Sequence, residues 1–241
     1  MTDEKWFASG EAIFQRSRYV FHVKQREDKE MIAIVDYRAG NLTSVARALH
    51  HLNQPYRITA DPEVLQQASH VIFPGVGAAG EAMAYLRQTG LDQQIRRLVA
   101  AGKPLLGICL GTQVIFEYSE ENDTSCLGIV PGSVRLFPHN LQMEDMPLKI
   151  PHMGWNEVAL TKPHPVFKDV EQGAAFYFVH SYYPAPDDPA WILGSTDYGL
   201  RFCSAIAREN LVAVQFHPEK SGRPGLRILE NFCRWGGRDA E

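Results

Sequence analysis

Short apolar runs and amphipathic segments alternate along the first half of this 241-residue chain. Residues 32–36 are almost wholly apolar, as expected for a strand that is buried on both faces. In residues 42–52, apolar side chains recur three or four positions apart and would share one face of a helix. The same order repeats as far as a predicted strand at 104–108 and a predicted helix at 110–117. Repeated strand–helix pairs predict a parallel sheet with helices on both faces.

The second half has a different pattern, in which apolar runs are separated by short connections. These runs predict strands at residues 132–137, 148–150, 156–160, 175–180, 190–195, 203–208 and 211–216. Short connections favour antiparallel pairing, and a closing helix is predicted at 224–235. The predicted fold class is therefore α/β: an open, mostly parallel sheet with flanking helices and additional antiparallel strands at one edge.

The pattern changes at residue 31. Residues 24–30 are almost wholly polar, whereas the buried-strand pattern begins directly after Met31. We therefore expect a flexible N-terminal extension at residues 1–30 and a folded domain at residues 31–241. Several aromatic and aliphatic side chains in the extension leave a short surface helix or strand open. The extension lacks an uninterrupted apolar stretch, so we expect no secretion signal.

Composition and charge argue against several classes of protein. The hydrophobic content of 45% is enough for a full core, and the net charge of -4 comes with no basic stripe of the kind that binds nucleic acid. No apolar run approaches the roughly 18 residues that indicate a membrane span. The four cysteines form no Cys-x-x-Cys pair and no metal-ligand spacing with histidine. We expect reduced thiols, no bound metal and a cytoplasmic location.

Cys109 lies in the run Gly107-Ile108-Cys109-Leu110-Gly111, directly after an apolar strand and before a helix. This order is typical of a nucleophile elbow, with cysteine in place of serine. The flanking glycines fit, because side chains there would collide with neighbouring backbone. The thiol would lie at the carboxyl end of the sheet and at a helix N-terminus, which favours the thiolate. The alternative is a buried structural cysteine in a glycine-rich turn.

Another apolar strand is followed by the run His217-Pro218-Glu219. The histidine could accept the thiol proton and later donate it to a leaving group. Glu219 could hold the imidazole in one tautomer, as the third member of a catalytic triad. A surface turn is the alternative, and it would be favoured if the elbow cysteine were absent.

A third strand end carries the run Gly75-Val76-Gly77. Glycines here would let a peptide N–H turn toward an oxyanion, with the N–H of Leu110 as a second donor. A plain β-turn explains the same run equally well. The three strand ends together predict a cysteine nucleophile with a general base, an orienting carboxylate and an oxyanion hole.

The chain resembles the class I, triad-type glutamine amidotransferases in its cysteine elbow, its His-x-Glu pair and its Pro-Gly loop. More narrowly, it resembles the glutaminase subunits of imidazole glycerol phosphate synthases. The resemblance covers residues 31 to about 235 and depends on six motifs. They are Asp36-Tyr37-x-x-Gly40-Asn41, Pro74-Gly75-Val76-Gly77, Gly107-Ile108-Cys109-Leu110-Gly111-x-Gln113, Pro151-His152-Met153-Gly154-Trp155-Asn156, Phe178-Val179-His180-Ser181-Tyr182 and Gln215-Phe216-His217-Pro218-Glu219-Lys220-Ser221-Gly222. The motif at 151–156 is the most specific, because other triad amidotransferases lack it.

The resemblance implies a role for each site residue. The implied groups are the triad Cys109, His217 and Glu219; the oxyanion residues Gly75, Val76, Gly77 and Leu110; the glutamine-binding residues Gln113, Ser181 and Tyr182; and the partner-interface residues Asn41, Tyr177 and Lys220. The cysteine would form a glutamyl thioester, and a peptide in residues 75–77 would turn over when a partner is engaged. One residue and one segment depart from the family pattern: Thr112, where methionine is common, and Ala78-Ala79-Gly80, where an aromatic residue often follows the loop.

The resemblance also implies a partner. Ammonia released into neutral water becomes mostly ammonium, which argues for internal delivery to a synthase. In the family, glutamine is the substrate and the ammonia passes to a (β/α)8-barrel cyclase, an obligate functional partner in histidine biosynthesis. The resemblance implies no cofactor.

Three alternatives remain open. The first is a glutaminase subunit that serves anthranilate or pyridoxal phosphate synthase, and the motif at residues 151–156 argues against it. The second is a non-catalytic protein that kept the fold, which would need a broken triad. The third is a cysteine peptidase or chaperone of related architecture, which gives no reason for Gln113 or for residues 178–182.

Overall fold

The computed structural model describes residues 31–38 and 40–238. Residues 1–30, the predicted extension, lie outside the described residues, so the domain boundary at residue 31 stays a prediction. The α-helices of the described residues are α1 (Leu42–His51), α2 (Pro62–Gln67), α3 (Ala79–Thr89), α4 (Leu91–Ala100), α5 (Leu110–Val114) and α6 (Gly222–Arg234). None of these helices is both long and apolar enough to cross a membrane.

The strands differ in length, and the longest belong to the main sheet. They are β1 (Ile32–Val35), β2 (Tyr56–Thr59), β3 (His70–Gly75), β4 (Leu105–Cys109), β5 (Phe116–Ser119), β6 (Thr124–Ser125), β7 (Val130–Leu136), β8 (Gln142–Met143), β9 (Met146–Pro147), β10 (His152–Glu157), β11 (Ala159–Leu160), β12 (Ala175–His180), β13 (Tyr182–Pro186), β14 (Ile192–Asp197), β15 (Arg201–Arg208) and β16 (Leu211–Val214). The main sheet has the order β11-β14-β15-β16-β4-β3-β1-β2. Strands β16, β4, β3, β1 and β2 run parallel, and β15, β14 and β11 add antiparallel strands at one edge. The predicted fold class is confirmed.

Alternate residues of the parallel strands pack on opposite faces of the sheet. Ile32 and Ile34 of β1 belong to a core that includes residues of α1 and α6. Ala33 and Val35, which alternate with them, belong to a second core that includes residues of α3 and α4. All four positions of β1 are buried, which explains why the strand is a continuous apolar run.

The segment after the elbow differs from the prediction. Helix α5 ends at Val114 and strand β5 begins at Phe116, whereas the sequence pattern predicts a helix over residues 110–117. Phe116 is fully buried and pairs with Val130 of β7. A short apolar run is compatible with a helix or with a strand, and here the pairing with β7 makes it a strand. The result is a second sheet in the order β13-β7-β5-β6.

Two smaller sheets also depart from the predicted strands. The prediction of a strand at 148–150 is wrong, because the nearby strand β9 lies earlier and pairs with β8 in a hairpin. Strands β10 and β12 form an antiparallel pair outside the main sheet. This pair leaves Met153 and Trp155 of β10 exposed by 62% and 59%.

Three strand ends meet at the carboxyl edge of the main sheet. Gly75 at the end of β3 lies opposite Cys109 at the end of β4. Val214 at the end of β16 lies opposite Ile108 of β4. The segments that follow these three strands therefore converge at the edge where open α/β sheets bind ligands.

Candidate active site

Cys109 occupies the sharp turn between β4 and α5. Its φ of 54° and ψ of -109° lie outside the regions that L-residues favour. A Cβ at Gly111 would stand 1.7 Å from the carbonyl oxygen of Phe73. A Cβ at Gly107 would stand 2.9 Å from the Cβ of Ala213. The two glycines therefore let the turn lie against β3 and β16, with the cysteine held at the carboxyl edge of the sheet.

A buried hydrogen-bonded pair, His217 and Glu219, follows β16. His217 Nδ1 lies 2.8 Å from Glu219 Oε1, and the two side chains are only 1% and 0% exposed. Asn41 Nδ2 donates a second hydrogen bond to the same carboxylate oxygen. Because a carboxylate only accepts, Nδ1 carries the proton and Nε2 is the nitrogen that remains for proton exchange.

The surroundings of His217 favour the protonated imidazole. Burial lowers the pKa of His217, but its interactions with Cys109 and Glu219 outweigh burial and raise the pKa to about 10. Nε2 makes no hydrogen bond of ordinary geometry to any described residue. A protonated ring can give its Nε2 proton to a leaving group.

A cavity of about 370 Å³ opens over the elbow. Its walls bring together predicted residues from three separate segments of the chain. They are Val76, Gly77, Cys109, Leu110, Gln113, Ser181 and Tyr182. The cavity thus joins the nucleophile, the loop after β3 and the predicted glutamine-binding residues in one place.

The loop after β3 forms one wall of this cavity. Val76 and Gly77 line the cavity beside Leu110, whereas Gly75 ends the strand behind them. Gly77 has a φ of 109°, which L side chains rarely adopt. Gly75 has no space for a side chain, because an added Cβ would stand 1.8 Å from the hydroxyl of Tyr37. Glycine at these positions lets the backbone approach the cavity, as an oxyanion donor must.

Two glutamine side chains connect the cavity wall to the nucleophile. Gln113 Nε2 donates to the carbonyl oxygen of Tyr182 and to Gln215 Oε1, both at 3.1 Å. Gln215 Nε2 in turn lies 3.7 Å from the sulfur of Cys109. The sequence pattern places Gln215 only within a buried strand, so its contact with the sulfur is new information.

Glu121 is a further cavity residue that the sequence pattern does not indicate. Its Oε2 accepts a hydrogen bond from Ala79 N at 2.7 Å, and the carboxylate keeps other acceptor sites for a ligand. Its position depends on β5, the strand that replaces the end of the predicted helix. In the part of the chain that the structure describes, no group of three or more His, Cys, Asp or Glu side chains could hold a metal ion.

Comparison with known proteins gives the family. The family model described as Glutamine amidotransferase class-I matches residues 33–235. Imidazole glycerol phosphate synthase subunit HisH of Nitratidesulfovibrio vulgaris strain DP4 is 57% identical over 206 residues, covering 85% of this chain and 96% of that protein. This chain belongs to the HisH family of class-I glutamine amidotransferases. The HisH subunit of Pseudomonas putida strain KT2440 is 47% identical over 211 residues, covering 87% and 99%.

Solved structures share the fold of this HisH-family chain. A glutamine amidotransferase from Thermotoga maritima matches with a TM-score of 0.58 at 17% identity, covering 84% of this chain and 81% of that one. The PurLQS structure from Thermotoga maritima matches with a TM-score of 0.64 at 15% identity, covering 86% and 98%. At these identities the likeness supports the fold alone.

The predicted interface residues of this HisH-family chain lie beside the triad. The backbone N–H of His217 donates to the carbonyl oxygen of Tyr177 at 2.9 Å. Lys220 Nζ stands 5.7 Å from the centre of the Tyr177 ring, and that ring lies 6.2 Å from the ring of Trp155. Asn41 contacts Glu219 directly, which its predicted interface role does not require. Contact of these residues with a partner stays a prediction.

Proposed function

We propose that this chain hydrolyses glutamine to glutamate and ammonia and supplies the ammonia to an imidazole glycerol phosphate synthase in histidine biosynthesis. The observation that carries the proposal is the buried His217–Glu219 pair behind Cys109, at a cavity of small-molecule size. The identity of 57% to a HisH subunit over 96% of its length supports this synthase over an anthranilate or pyridoxal phosphate synthase.

The first half of the reaction forms a thioester. The Cys109 thiolate attacks the side-chain amide carbon of glutamine, and the carbon–nitrogen bond then breaks. His217 Nε2 gives its proton to the departing nitrogen, so that ammonia leaves. Glu219 keeps the imidazole in the required tautomer throughout, and Asn41 holds the carboxylate in place.

The second half of the reaction restores the enzyme. The neutral His217 takes a proton from water, and the water oxygen attacks the thioester carbon. The carbon–sulfur bond breaks, its electron pair returns to the sulfur of Cys109, and glutamate leaves after its new carboxyl group loses the second water proton to solvent. The site then again holds a thiolate beside a protonated imidazole. The proposed cycle therefore needs no group other than the side chains, the substrate and water.

Backbone N–H groups would stabilise the two tetrahedral intermediates. The N–H of Leu110 adjoins the nucleophile, and a peptide among Gly75, Val76 and Gly77 would be the second donor after it turns toward the cavity. One such donor is worth about 3–4 kcal/mol in the transition state. If the partner drives this turn, the isolated chain should have low glutaminase activity.

The cavity suits glutamine in size and charge. Its volume of about 370 Å³ lies at the small end of the range for ligand sites. Glu121 offers a carboxylate for the α-ammonium group, a charge-assisted hydrogen bond that favours free amino acids. Gln113, Ser181 and Tyr182 line the remaining wall and would bind the polar atoms of the substrate.

An exposed apolar face beside the triad is suited to the barrel cyclase. Met153 and Trp155 are exposed by 62% and 59%, the Tyr177 ring adjoins Trp155, and Lys220 lies over the Tyr177 ring. Large apolar side chains grouped on a surface mark interaction sites. A cyclase bound here would receive ammonia next to where it forms, and we propose that this complex is cytoplasmic.

The decisive test replaces the nucleophile in the complex with a cyclase. Cys109→Ala should abolish product formation from glutamine and leave product formation from added ammonium salt at the wild-type rate, because the variant affects only the source of ammonia. Cys233→Ala, on α6 and outside the cavity, is the matched control and should keep both rates. Synthesis from glutamine by Cys109→Ala would contradict the proposed nucleophile.

A further inference from the structure

Gln215 is completely buried and precedes His217 by two residues. Its Nε2 lies 3.7 Å from the sulfur of Cys109, with the geometry of a hydrogen bond to sulfur. The triad accounts for proton transfer to the leaving ammonia and for the carboxylate that orients the imidazole. It does not account for a buried amide directed at the nucleophile.

The hydrogen-bond partners of Gln215 determine which end of its amide faces the sulfur. The carbonyl oxygen of Tyr182 can only accept, and it accepts from Gln113 Nε2 at 3.1 Å. Gln113 Nε2 also donates to Gln215 Oε1 at 3.1 Å. The oxygen of Gln215 is therefore engaged, and its NH2 group faces Cys109. A backbone carbonyl thus sets the polarity of both amides.

An N–H donor affects the two ionisation states of a sulfur unequally. A thiol is a weak acceptor, whereas a thiolate carries a full negative charge and accepts strongly. In a site of low local dielectric, a hydrogen bond of this kind is electrostatically stronger than in water. A fixed N–H at this distance therefore favours the thiolate and also restrains the direction of the sulfur.

We propose that Gln215 is a catalytic residue. During glutamine hydrolysis, its side-chain amide donates a hydrogen bond to the Cys109 thiolate. This role depends on the hydrolysis proposed above. The amide stabilises the anion before it attacks the substrate. It stabilises the anion again when the carbon–sulfur bond of the thioester breaks and the electron pair returns to sulfur.

A structural role for the Gln215 side chain makes a different prediction. The backbone N–H of Gln215 donates to the carbonyl oxygen of Ser204 at 2.9 Å, so this link to β15 does not depend on the side chain. A side chain needed only for packing could be replaced by one of equal length without effect on the reactivity of Cys109. Reactivity of the thiol therefore distinguishes the two roles.

The experiment compares Gln215→Met and Gln215→Glu in the full chain. Methionine keeps the length without an N–H, and glutamate keeps the shape but presents oxygen to the sulfur. Each variant should slow the alkylation of Cys109 by iodoacetamide at pH 7 about tenfold, as expected for loss of a hydrogen bond to a charged group. The rate is measured by mass spectrometry of the peptide that contains Cys109.

The same variants should lower kcat for glutamine hydrolysis by a similar factor, with KM nearly unchanged, when assayed in the complex with a cyclase. Gln94→Met is the matched control, because Gln94 is also buried and bonded to backbone but lies on α4, outside the cavity. In this variant, Cys109 should be alkylated at the wild-type rate, and glutamine should be hydrolysed at the wild-type rate.

Several outcomes would overturn the proposal. Alkylation of the folded Gln215 variants at the wild-type rate would exclude the hydrogen bond, and slow alkylation with unchanged kcat would exclude the catalytic role. If Gln215→Met does not fold, the isosteric Gln215→Glu decides by the same two rates. A wild-type chain that is alkylated but hydrolyses no glutamine in the complex would instead overturn the proposed function, and the alkylation rates would still decide the hydrogen bond.

Discussion

A pair of buried histidines lies next to the predicted glutamine site. His152 Nδ1 stands 3.0 Å from His180 Nε2, and His180 Nδ1 is 2.8 Å from the carbonyl oxygen of Tyr182. That carbonyl can only accept, so His180 Nδ1 carries a hydrogen, and a neutral His180 then accepts at Nε2 from the Nδ1–H of His152. Burial is the main cause that lowers the pKa of His152 to about 4 and the pKa of His180 to about 3.

These lowered pKa values predict acid sensitivity. In the unfolded chain, His152 and His180 bind protons as the pH falls below about 6.5. In the folded chain, both imidazoles stay neutral as the pH falls to about 4. Stability should therefore fall between these pH values, by up to about 1.4 kcal/mol per pH unit for each histidine. Urea unfolding at pH 7, 5.5 and 4.5 should show a smaller loss for the double variant His152→Gln, His180→Gln. Parallel losses in both proteins would contradict the expectation.

The sequence predicts a single site residue where that residue belongs to a short local motif. Cys109 and His217 stand in short runs with a steric or chemical reason, and the structure places both at the same edge of the sheet. The contact of Asn41 with Glu219 joins positions 178 apart in sequence, and no local pattern contains it. The same holds for Gln215 and the sulfur, because the partner of a buried polar group depends on the tertiary fold.

At the scale of elements, the elbow depends on how closely α5 approaches β3. Gly111 lies against the backbone of Phe73, and β3 is an interior strand of the sheet that cannot move aside easily. The position of the nucleophile therefore depends on the absence of one side chain on α5.

Gly111→Ala should test this packing. Its new methyl group would overlap the carbonyl oxygen of Phe73, so the free energy of unfolding should fall by about 3 kcal/mol and glutamine hydrolysis should be lost. Gly236→Ala is a suitable control, because nothing lies within 4 Å of its added Cβ. Its stability should stay within about 0.5 kcal/mol of wild type in urea denaturation. Equal stability of both variants would show that the turn can relax.

The elements that the sequence predicts well are those buried on both faces. β1 and β3 are continuous apolar runs because both of their faces meet a core. The sequence pattern predicts a helix at β5, because so short an apolar run fits the period of a helix and that of a strand. Only the pairing with β7 distinguishes the two. β10 has few buried positions, so its outward residues give no strong strand pattern.

On the scale of the whole molecule, the exposed apolar face of β10 lies on the same side as the triad. Trp155→Ala should weaken binding of the cyclase by about tenfold, since buried tryptophans dominate many interfaces. Tyr56→Ala provides a control, because Tyr56 is also exposed but lies on β2, an edge strand of the main sheet, whereas β10 lies outside that sheet. Titration calorimetry gives both values of Kd. An unchanged Kd for Trp155→Ala would place the cyclase on another face.

The extension is a second feature at this scale. The family match begins at residue 33, and the HisH match spans 96% of that relative with 85% of this chain. Deletion of residues 1–30 should therefore leave kcat for glutamine and the midpoint of urea unfolding unchanged. Either a lower midpoint or a lower kcat would show that the extension belongs to the domain.

The contact between Gly75 and Tyr37 restricts the order in which these two positions of the chain can change. The Tyr37 hydroxyl fills the space that a side chain at residue 75 would need. Alanine at 75 is therefore incompatible with tyrosine at 37, and becomes feasible only after residue 37 has changed to something smaller. The two substitutions can accumulate in one order but not in the other.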